Sequence, residues 1–517
     1  MRRLLAVTFV VTCVTAWFSY AYFAIDEYFQ VIEFARFKLG HVEAWALPWE
    51  HQQKMRPFLQ PGIYFVIGKV LGVFGVTDAF TLSFAFRLVT GITCVGALAL
   101  FLKTSLPWFS TDEERRLHLR VLTLAGFLPY LFVRTSSETA ACAAITSAFA
   151  LLLARATAEE KTWTVPALGD PRRLALVGFL AGIAFDVRYQ SVFLALGLFA
   201  WLRFVGRAPW RSFAPIVAGG VVALVLGALV DRFGYGEWCF PAWTYFKANL
   251  LEGVASLFGT DPPFAYVYLL PANVFFPLVV VLFVVAVVTW WRCRRHPITW
   301  TTLPFFLVHN LLSHKEERFV FPMMIFALSF VALAIAPSVG STNRFSAWAW
   351  KKRNGALAKA LAVMSFLGMA LLAFYPLGWH HHVRFTKYVH DHMNDELVAY
   401  APLEFDLGLP AWHPKVWQIE KHDEATIVRL LDEDQGARRW LVTDLPRLEA
   451  PLADRATLVW SEEPFYDNAT LHGPMRSLID AYNARSGGPL RRLRFRSLYR
   501  LDVTSARSPI PPAASSR

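Results

Sequence analysis

A length of 517 residues would ordinarily hold roughly three soluble domains, but 55% hydrophobic and 17% charged residues exclude that organisation and fit an integral membrane protein. The net charge of +12 does not mark a nucleic-acid binder, because many of the lysines and arginines fall in short loops between apolar runs, as topology signals do. Cys13, Cys94, Cys142, Cys239 and Cys293 are scattered without CxxC spacing, so neither a disulfide framework nor a zinc site is indicated and no cofactor is expected.

Residues 4–24 form an apolar run behind Arg2 and Arg3. The run has no small-x-small cleavage site and ends in Tyr20, Tyr22 and Phe23, so it reads as an uncleaved anchor helix whose start is held in the cytoplasm. Asp26, Glu27, Tyr28, Phe29 and Gln30 follow. At helical spacing Asp26, Gln30 and Glu33 share one face, while Tyr28, Val31 and Ile32 lie elsewhere. Acids that simply end a span at the interface would account for the same residues. Residues 40–61, rich in Trp and Pro, read as an ordered extracytoplasmic loop with Trp45 and Trp49 in the interfacial belt. The short, glycine-interrupted run 61–76 reads as an interfacial or re-entrant helix, so that 25–78 form one interfacial loop.

Residues 80–102 are a clear span, and shorter runs at 121–133 and 140–154 flank Arg134, Thr135 and Glu138. The run 174–202 is too long for one helix and is interrupted by Asp186, Val187, Arg188, Tyr189 and Gln190, which predicts two short spans meeting at a polar apex. Residues 213–230 cross again, 231–272 form a second, aromatic loop, and further spans follow at 273–291, 299–312, 319–336 and 357–377. With about eleven spans and the N terminus inside, the Arg/Lys-rich short loops fall on the cytoplasmic face. The polar groups near 26, 134–138, 186–190, 231–272 and 314–319 then share the opposite face. The fold class expected is an all-α polytopic membrane domain over 1–378 with an extracytoplasmic soluble α/β domain over 379–507 and a disordered tail at 508–517. In the soluble part, helices are expected at 424–435 and 474–485 and strands at 439–443, 457–461 and 493–503. His380, His381 and His382 could bind a metal, although such a juxtamembrane run is more often solvated. Asn468, Ala469 and Thr470 fit a glycosylation sequon.

The stretch His314, Lys315, Glu316, Glu317, Arg318, Phe319 lies between two apolar runs. Charge clustered at or near membrane depth is costly and usually functional, the ordinary alternative being a solvated loop. Transfer of a sugar from a lipid phosphate to a hydroxyl needs a carboxylate base and fixed positive charge for the departing phosphate. Asp26 and Glu27 are candidates for the base; His314, Lys315 and Arg318, with Arg188 or Arg134, are candidates for the cations. A glycosidase would instead place two carboxylates across the scissile bond. Glu316 and Glu317 keep that open, but Lys315 and Arg318 beside them suit them better as partners of the cations.

This stretch, with Pro322, resembles the signature of the family 22 mannosyltransferases, GT-C enzymes that take mannose from a polyprenyl-phosphate lipid and build GPI anchors and N-glycan precursors. Asp26 to Gln30 with Glu33 resembles the acidic motif opening the first luminal loop of the GPI branch. Arg56 to Pro61 resembles the Arg-Ser-x-Leu-x-Pro element, with Pro57 in place of Ser. Arg134, Thr135 and Glu138 resemble Arg-Thr-x-x-x-Glu, and Asp231, Tyr235 and Gly236 resemble Asp-x-x-x-Tyr-Gly. The resemblance implies a polyprenyl- or dolichyl-phosphate mannose donor, a glycan or glycolipid acceptor, inversion to an α-mannoside, and a single base. That role carries to Asp26, with Glu27 as runner-up. His314, Lys315, Arg318 and Arg188 would bind the donor phosphate. Gln30, Glu33, Arg56, Arg134, Glu138, Asp231, Tyr235, Glu316 and Glu317 would shape the site or the acceptor. The implied setting is the ER membrane of a eukaryote or the inner membrane of a bacterium, with the site on the luminal or periplasmic side. Two departures leave the acceptor open: Phe258 to Pro263 replaces a His/Trp-rich motif, and Tyr189 follows Arg188 where the family has Pro. A transferase using another polyprenyl-phosphate sugar, a flippase for a lipid-linked sugar, or a ligase with a diphosphate-linked donor are the competing functions. No internal duplication of the kind transporters carry is visible.

Overall fold

In the computed structural model the chain separates into two compact units, Met1–Gly378 and Trp379–Arg517, each described here by itself. The structure describes residues 1–501 apart from 160–161, 274–275, 342, 375–379, 394–397, 404–417, 434–439, 445–447, 449, 451 and, except for Ala481 and Ala484, 463–495. The expected helix at 474–485, the sequon at Asn468 and the tail at 508–517 therefore lie outside the described residues, as do the side chains of the histidine triplet.

The first unit is helical because a chain in lipid must satisfy every backbone group internally. Its opening helix, Arg2–Phe18, is shorter than the 4–24 run. The Thr8, Thr12 and Thr15 hydroxyls donate to carbonyls one turn back at 3.0, 2.7 and 2.7 Å, so these polar residues lie in an apolar helix without stranded donors. Among the described residues four helices are long and apolar enough to cross a membrane: Ala79–Trp108, Trp210–Tyr235, Glu317–Ile335 and Ala356–Phe374. Shorter apolar helices, among them Leu59–Val73 and Ser137–Leu153, stand between them, and about eleven full spans are not established by length. Only 11% of the best window of Ala356–Phe374 is buried, so that helix turns most of its surface to lipid.

The split at the polar apex is seen as expected: Pro171–Val187 ends at Arg188, a short turn covers Tyr189–Ser191, and Val192–Phe204 continues. Two expectations are corrected. Residues 121–133 are not one run but the end of Asp112–Leu124 and the short helix Leu128–Phe132; at the break the Gly126 N–H donates to Ser365 Oγ at 2.8 Å. The second loop does not begin at 231, because the helix Phe213–Tyr235 carries Asp231 and Tyr235 on its last turn and stops at Gly236, whose φ of 79° closes it. This helix packs on Pro171–Val187 through small residues: a Cβ on Gly178 would meet the Ile216 backbone, and one on Gly219 the Ala175 carbonyl. Close backbone approach of this kind is how helices associate in lipid.

In the first unit a short hairpin pairs β1 Thr157–Glu159 with β2 Thr162–Thr164. In the second unit five strands pair in the order β4-β3-β5-β7-β6, with β3 Val398–Ala401, β4 Gln418–Lys421, β5 Trp440–Thr443, β6 Ala456–Ser461 and β7 Ser497–Leu501. β3 runs parallel to β4 and β5, and β7 antiparallel to β5 and β6. The period of two splits the sheet's faces. Ala399, Ala401, Val442 and Leu498 meet Phe385 and Val389 of the helix His380–His392, while Tyr400, Leu441 and Tyr499 meet Ile427 and Leu431 of Glu424–Glu433.

Candidate functional site

The acidic motif after the first helix forms a π-turn, Glu27–Ile32, in which the Glu33 N–H reaches the Tyr28 carbonyl five residues back. That wider turn changes which side chains align. The expected common face of Asp26, Gln30 and Glu33 does not form. Glu33 instead lies buried near Tyr28 and Arg36, and burial, against the pull of both, raises its carboxyl. Gln30 donates to Glu50 at 3.0 Å, and Asp26 turns to Arg318.

Arg318, 6% exposed, is the hub of the site. It pairs with Asp26, with Glu316 at 2.6 Å and with Glu138 at 3.8 Å. Glu138 also holds Arg188 at 3.2 Å, and Glu316 holds His314 Nε2 at 3.2 Å. Arg188 and Arg318 both lie over the Phe319 ring. Residues from four places in the chain thus make one chain of ion pairs. Glu138 is fully buried within it, whereas the Asp26 side chain is 26% exposed. Burial would raise the Asp26 carboxyl, but Arg318, Arg56 and Arg188 outweigh it and hold it below its ordinary value. Glu316 is likewise held low, Arg318 overcoming the effect of burial.

The neighbouring acid is built differently. Glu27 Oε1 accepts from the N–H groups of Phe23 and Ala24 at 3.0 and 3.4 Å, and Oε2 from Thr135 N at 3.1 Å and Thr135 Oγ1 at 3.4 Å. Burial raises this carboxyl in spite of Arg134 and those amides. Arg134 binds Ser19 and the Ala21 carbonyl and lies over Tyr130. These two residues tie the first helix to the 134–138 turn. Lys315 is also tied: its ammonium donates to the carbonyls of Asp261 at 3.2 Å and Leu312 at 2.5 Å, and its backbone N–H to Asp261 Oδ2 at 3.1 Å. Glu317, half-buried, opens the 3₁₀ turn Glu317–Met323.

Beside the ion pairs lies a cleft whose wall includes Gln30, Arg56, Gln60, Arg188, Gln190 and Tyr245. Its rim is fixed by the end of the helix Phe213–Tyr235. Tyr235 donates to the Arg56 carbonyl at 2.7 Å, and Asp231 accepts from the Phe58 N–H at 2.7 Å. Arg56 stands 3.6 Å from Glu50 and over the Tyr245 ring. Sequence reasoning missed Glu50, Gln60 and Tyr245 as site residues. Glu50 and Tyr245 lie in the short helices Trp49–Gln52 and Pro241–Phe246, inside aromatic-rich segments where no local pattern singles them out.

The chain matches the model of the Alg9-like mannosyltransferase family over residues 4–399. It is 26% identical over 323 residues to GPI alpha-1,2-mannosyltransferase 3 of Danio rerio, covering 61% of this chain and 56% of that protein. To GPI mannosyltransferase 3 of Yarrowia lipolytica it is 26% identical over 331 residues, covering 63% and 61%. It therefore spans somewhat over half the length of these relatives. Among solved structures, ArnT from Cupriavidus metallidurans bound to undecaprenyl phosphate superposes with a TM-score of 0.50 and 12% identity over 97% of this chain and 98% of that one. The likeness shows the fold, the GT-C architecture that the sequence implied.

Proposed function

We propose that this chain, which belongs to the Alg9-like mannosyltransferase family, is an inverting glycosyltransferase moving mannose from a polyprenyl-phosphate lipid to a hydroxyl of a glycan or glycolipid at the non-cytoplasmic membrane face. The carrying observation is the pairing of Asp26, a partly exposed carboxylate, with Arg318, which Glu138 links to Arg188 on the wall of the cleft. Asp26 is the base. It takes the proton of the acceptor hydroxyl while that oxygen attacks the anomeric carbon from the face opposite the phosphate; the bond from anomeric carbon to phosphate oxygen breaks, and the lipid phosphate leaves with the electron pair.

Arg318 and Arg188, with His314, supply the positive charge that the departing phosphate needs. The pairing also tunes the base. An acid held low by three arginines is ionised but weakly basic. When the donor phosphate draws Arg318 toward itself, Asp26 loses part of that hold and its affinity for a proton rises as the acceptor arrives. Glu27 suits the role less, because all its accepting positions named above are engaged and leaving them unmet is costly.

The names of the relatives support mannose as the sugar and a GPI-type glycolipid as one acceptor class. The test is transfer of labelled mannose from a polyprenyl-phosphate donor to a panel of mannoside and glycolipid acceptors, in EDTA, by the purified chain. Arginine-borne charge predicts transfer that the chelator leaves intact. Donor binding without transfer to any acceptor, together with movement of labelled lipid across proteoliposomes, would instead favour a flippase.

A further inference from the structure

The cleft carries two kinds of polar wall, and the mechanism uses only one. Arg56 and Arg188 supply the cationic part of its lining. The same lining holds two glutamines, Gln60 and Gln190, whose amides are incompletely satisfied. Gln60 Nε2 donates to the Thr135 carbonyl at 2.9 Å and to Tyr64 Oη at 3.1 Å, which sets the amide's orientation and leaves Oε1 buried without a partner. Gln190 Nε2 donates to Tyr245 Oη at 2.5 Å, and its Oε1 is again buried without a partner. A buried acceptor left unmet costs about 1–3 kcal/mol, and such groups ask for an explanation.

Resting on the function proposed above, we infer that this part of the cleft is a subsite for a neutral hexopyranose ring, whose hydroxyls donate to the Gln60 and Gln190 carbonyl oxygens. The chemistry selects that class. Two amide oxygens want donors; a phosphate or carboxylate offers none and would be repelled, whereas a sugar ring offers several hydroxyl donors at fixed spacing. Gln190 and Gln60 are then specificity residues. A site built to meet a hydroxyl rejects an analogue lacking it far more strongly than an apolar pocket can.

The ring could belong to the donor or to the acceptor's terminal sugar, and the experiment separates them. Gln190→Leu and Tyr245→Phe are compared with the native chain, each checked for folding by thermal unfolding in detergent. Km is measured separately for polyprenyl-phosphate mannose and for a mannose-terminated glycolipid, then again with monodeoxy sugars placed in one substrate at a time. The expected result is a rise of about fivefold or more in one of the two Km values for Gln190→Leu, a smaller rise for Tyr245→Phe, and loss of the native preference for the fully hydroxylated form of that same substrate. Folded variants that transfer mannose with both Km values within twofold of native and the deoxy preferences intact would overturn the subsite. If the native chain transfers no mannose, the proposed function fails, and the subsite is read from binding alone. Binding of each glycosylated lipid against its sugar-free counterpart is then compared in native and Gln190→Leu protein, and an undiminished preference in the variant overturns it.

Discussion

If Asp26 is the base proposed above, replacing it by Asn separates catalysis from architecture, because the two consequences differ in size. Arg318 loses one of three carboxylate partners but keeps Glu316 at 2.6 Å and Glu138 at 3.8 Å. Its charge is not stranded, and the Asp26 side chain is already 26% exposed. The stability loss is therefore about 1 kcal/mol, well below the roughly 3–5 kcal/mol of a buried charge left alone. Loss of a general base costs about 10²- to 10⁴-fold in rate, or roughly 3–5 kcal/mol of barrier. The assay is single-turnover and steady-state transfer from labelled polyprenyl-phosphate mannose, with thermal unfolding of the same preparations. Asp26→Asn should lower kcat at least a hundredfold, shift Tm by only a few degrees, and leave the donor Km unchanged or lower, since Arg318 is freer to meet phosphate. A folded Asp26→Asn protein within tenfold of the native rate would refute the assignment.

Glu27→Gln should act mainly on stability: an amide nitrogen facing the N–H donors around Glu27 leaves buried groups unmet and costs about 1–3 kcal/mol, read as a lower Tm with donor Km little changed. Because Asp26 is held below its ordinary carboxylate value, its ion pair contributes stability in full above the unfolded value near pH 4 and loses it only as pH falls through the lower folded value; kcat/Km should accordingly show no acid limb between about pH 5 and 7 from this group. In the second unit burial pushes Glu462 up to about 7 against the Arg496 amide and the Arg496 and Arg384 charges. A raised acid stabilises below its unfolded pKa and loses that as pH climbs through the folded one, so hydrogen exchange of β6 and β7 in the full chain should speed up from pH 5 to 8, and Glu462→Gln should remove on the order of 2–3 kcal/mol of that dependence. Gly219→Leu would drive a side chain into the Ala175 carbonyl and should cost more than about 2 kcal/mol or prevent folding, seen as loss of monodisperse protein in detergent.

What was legible in the sequence had a local physical signature. Apolar runs announced the helices, and the break at Arg188 followed from polar residues inside an apolar stretch. The stretch around Arg318 stood out because its charges interrupt two such runs. The π-turn at Glu27–Ile32 was not legible, since an extra residue per turn leaves no trace in a pattern read at 3.6, and it moved Glu33 away from the face shared with Asp26. β3, Val-Ala-Tyr-Ala, and β4, Gln-Ile-Glu-Lys, were missed although β5 of equal length was expected, because neither carries an apolar, β-branched run like Trp440 to Thr443. Glu50 and Tyr245 enter the site through contacts with Arg56, and pairing across such sequence distance has no local signal. The contacts of Lys315 were likewise not legible: nothing local in a charge cluster shows that its ammonium donates to the Asp261 and Leu312 carbonyls.

The hub pairing also bears on how the chain is made. Asp26 and Arg318 are 292 residues apart, so at about 5–20 residues per second the acid emerges from the ribosome roughly 15 to 60 seconds before its partner. Glu138 and Arg188 emerge in that interval and can pair with each other, whereas Asp26 has until then only the more distant charges of Arg56 and Arg188. The growing chain must keep that carboxylate in water or within the insertion machinery until the last third of the protein arrives. Completion of the ion-pair cluster is in this sense a late step of biosynthesis, and truncation between Asp26 and Arg318 would leave the acid without this partner.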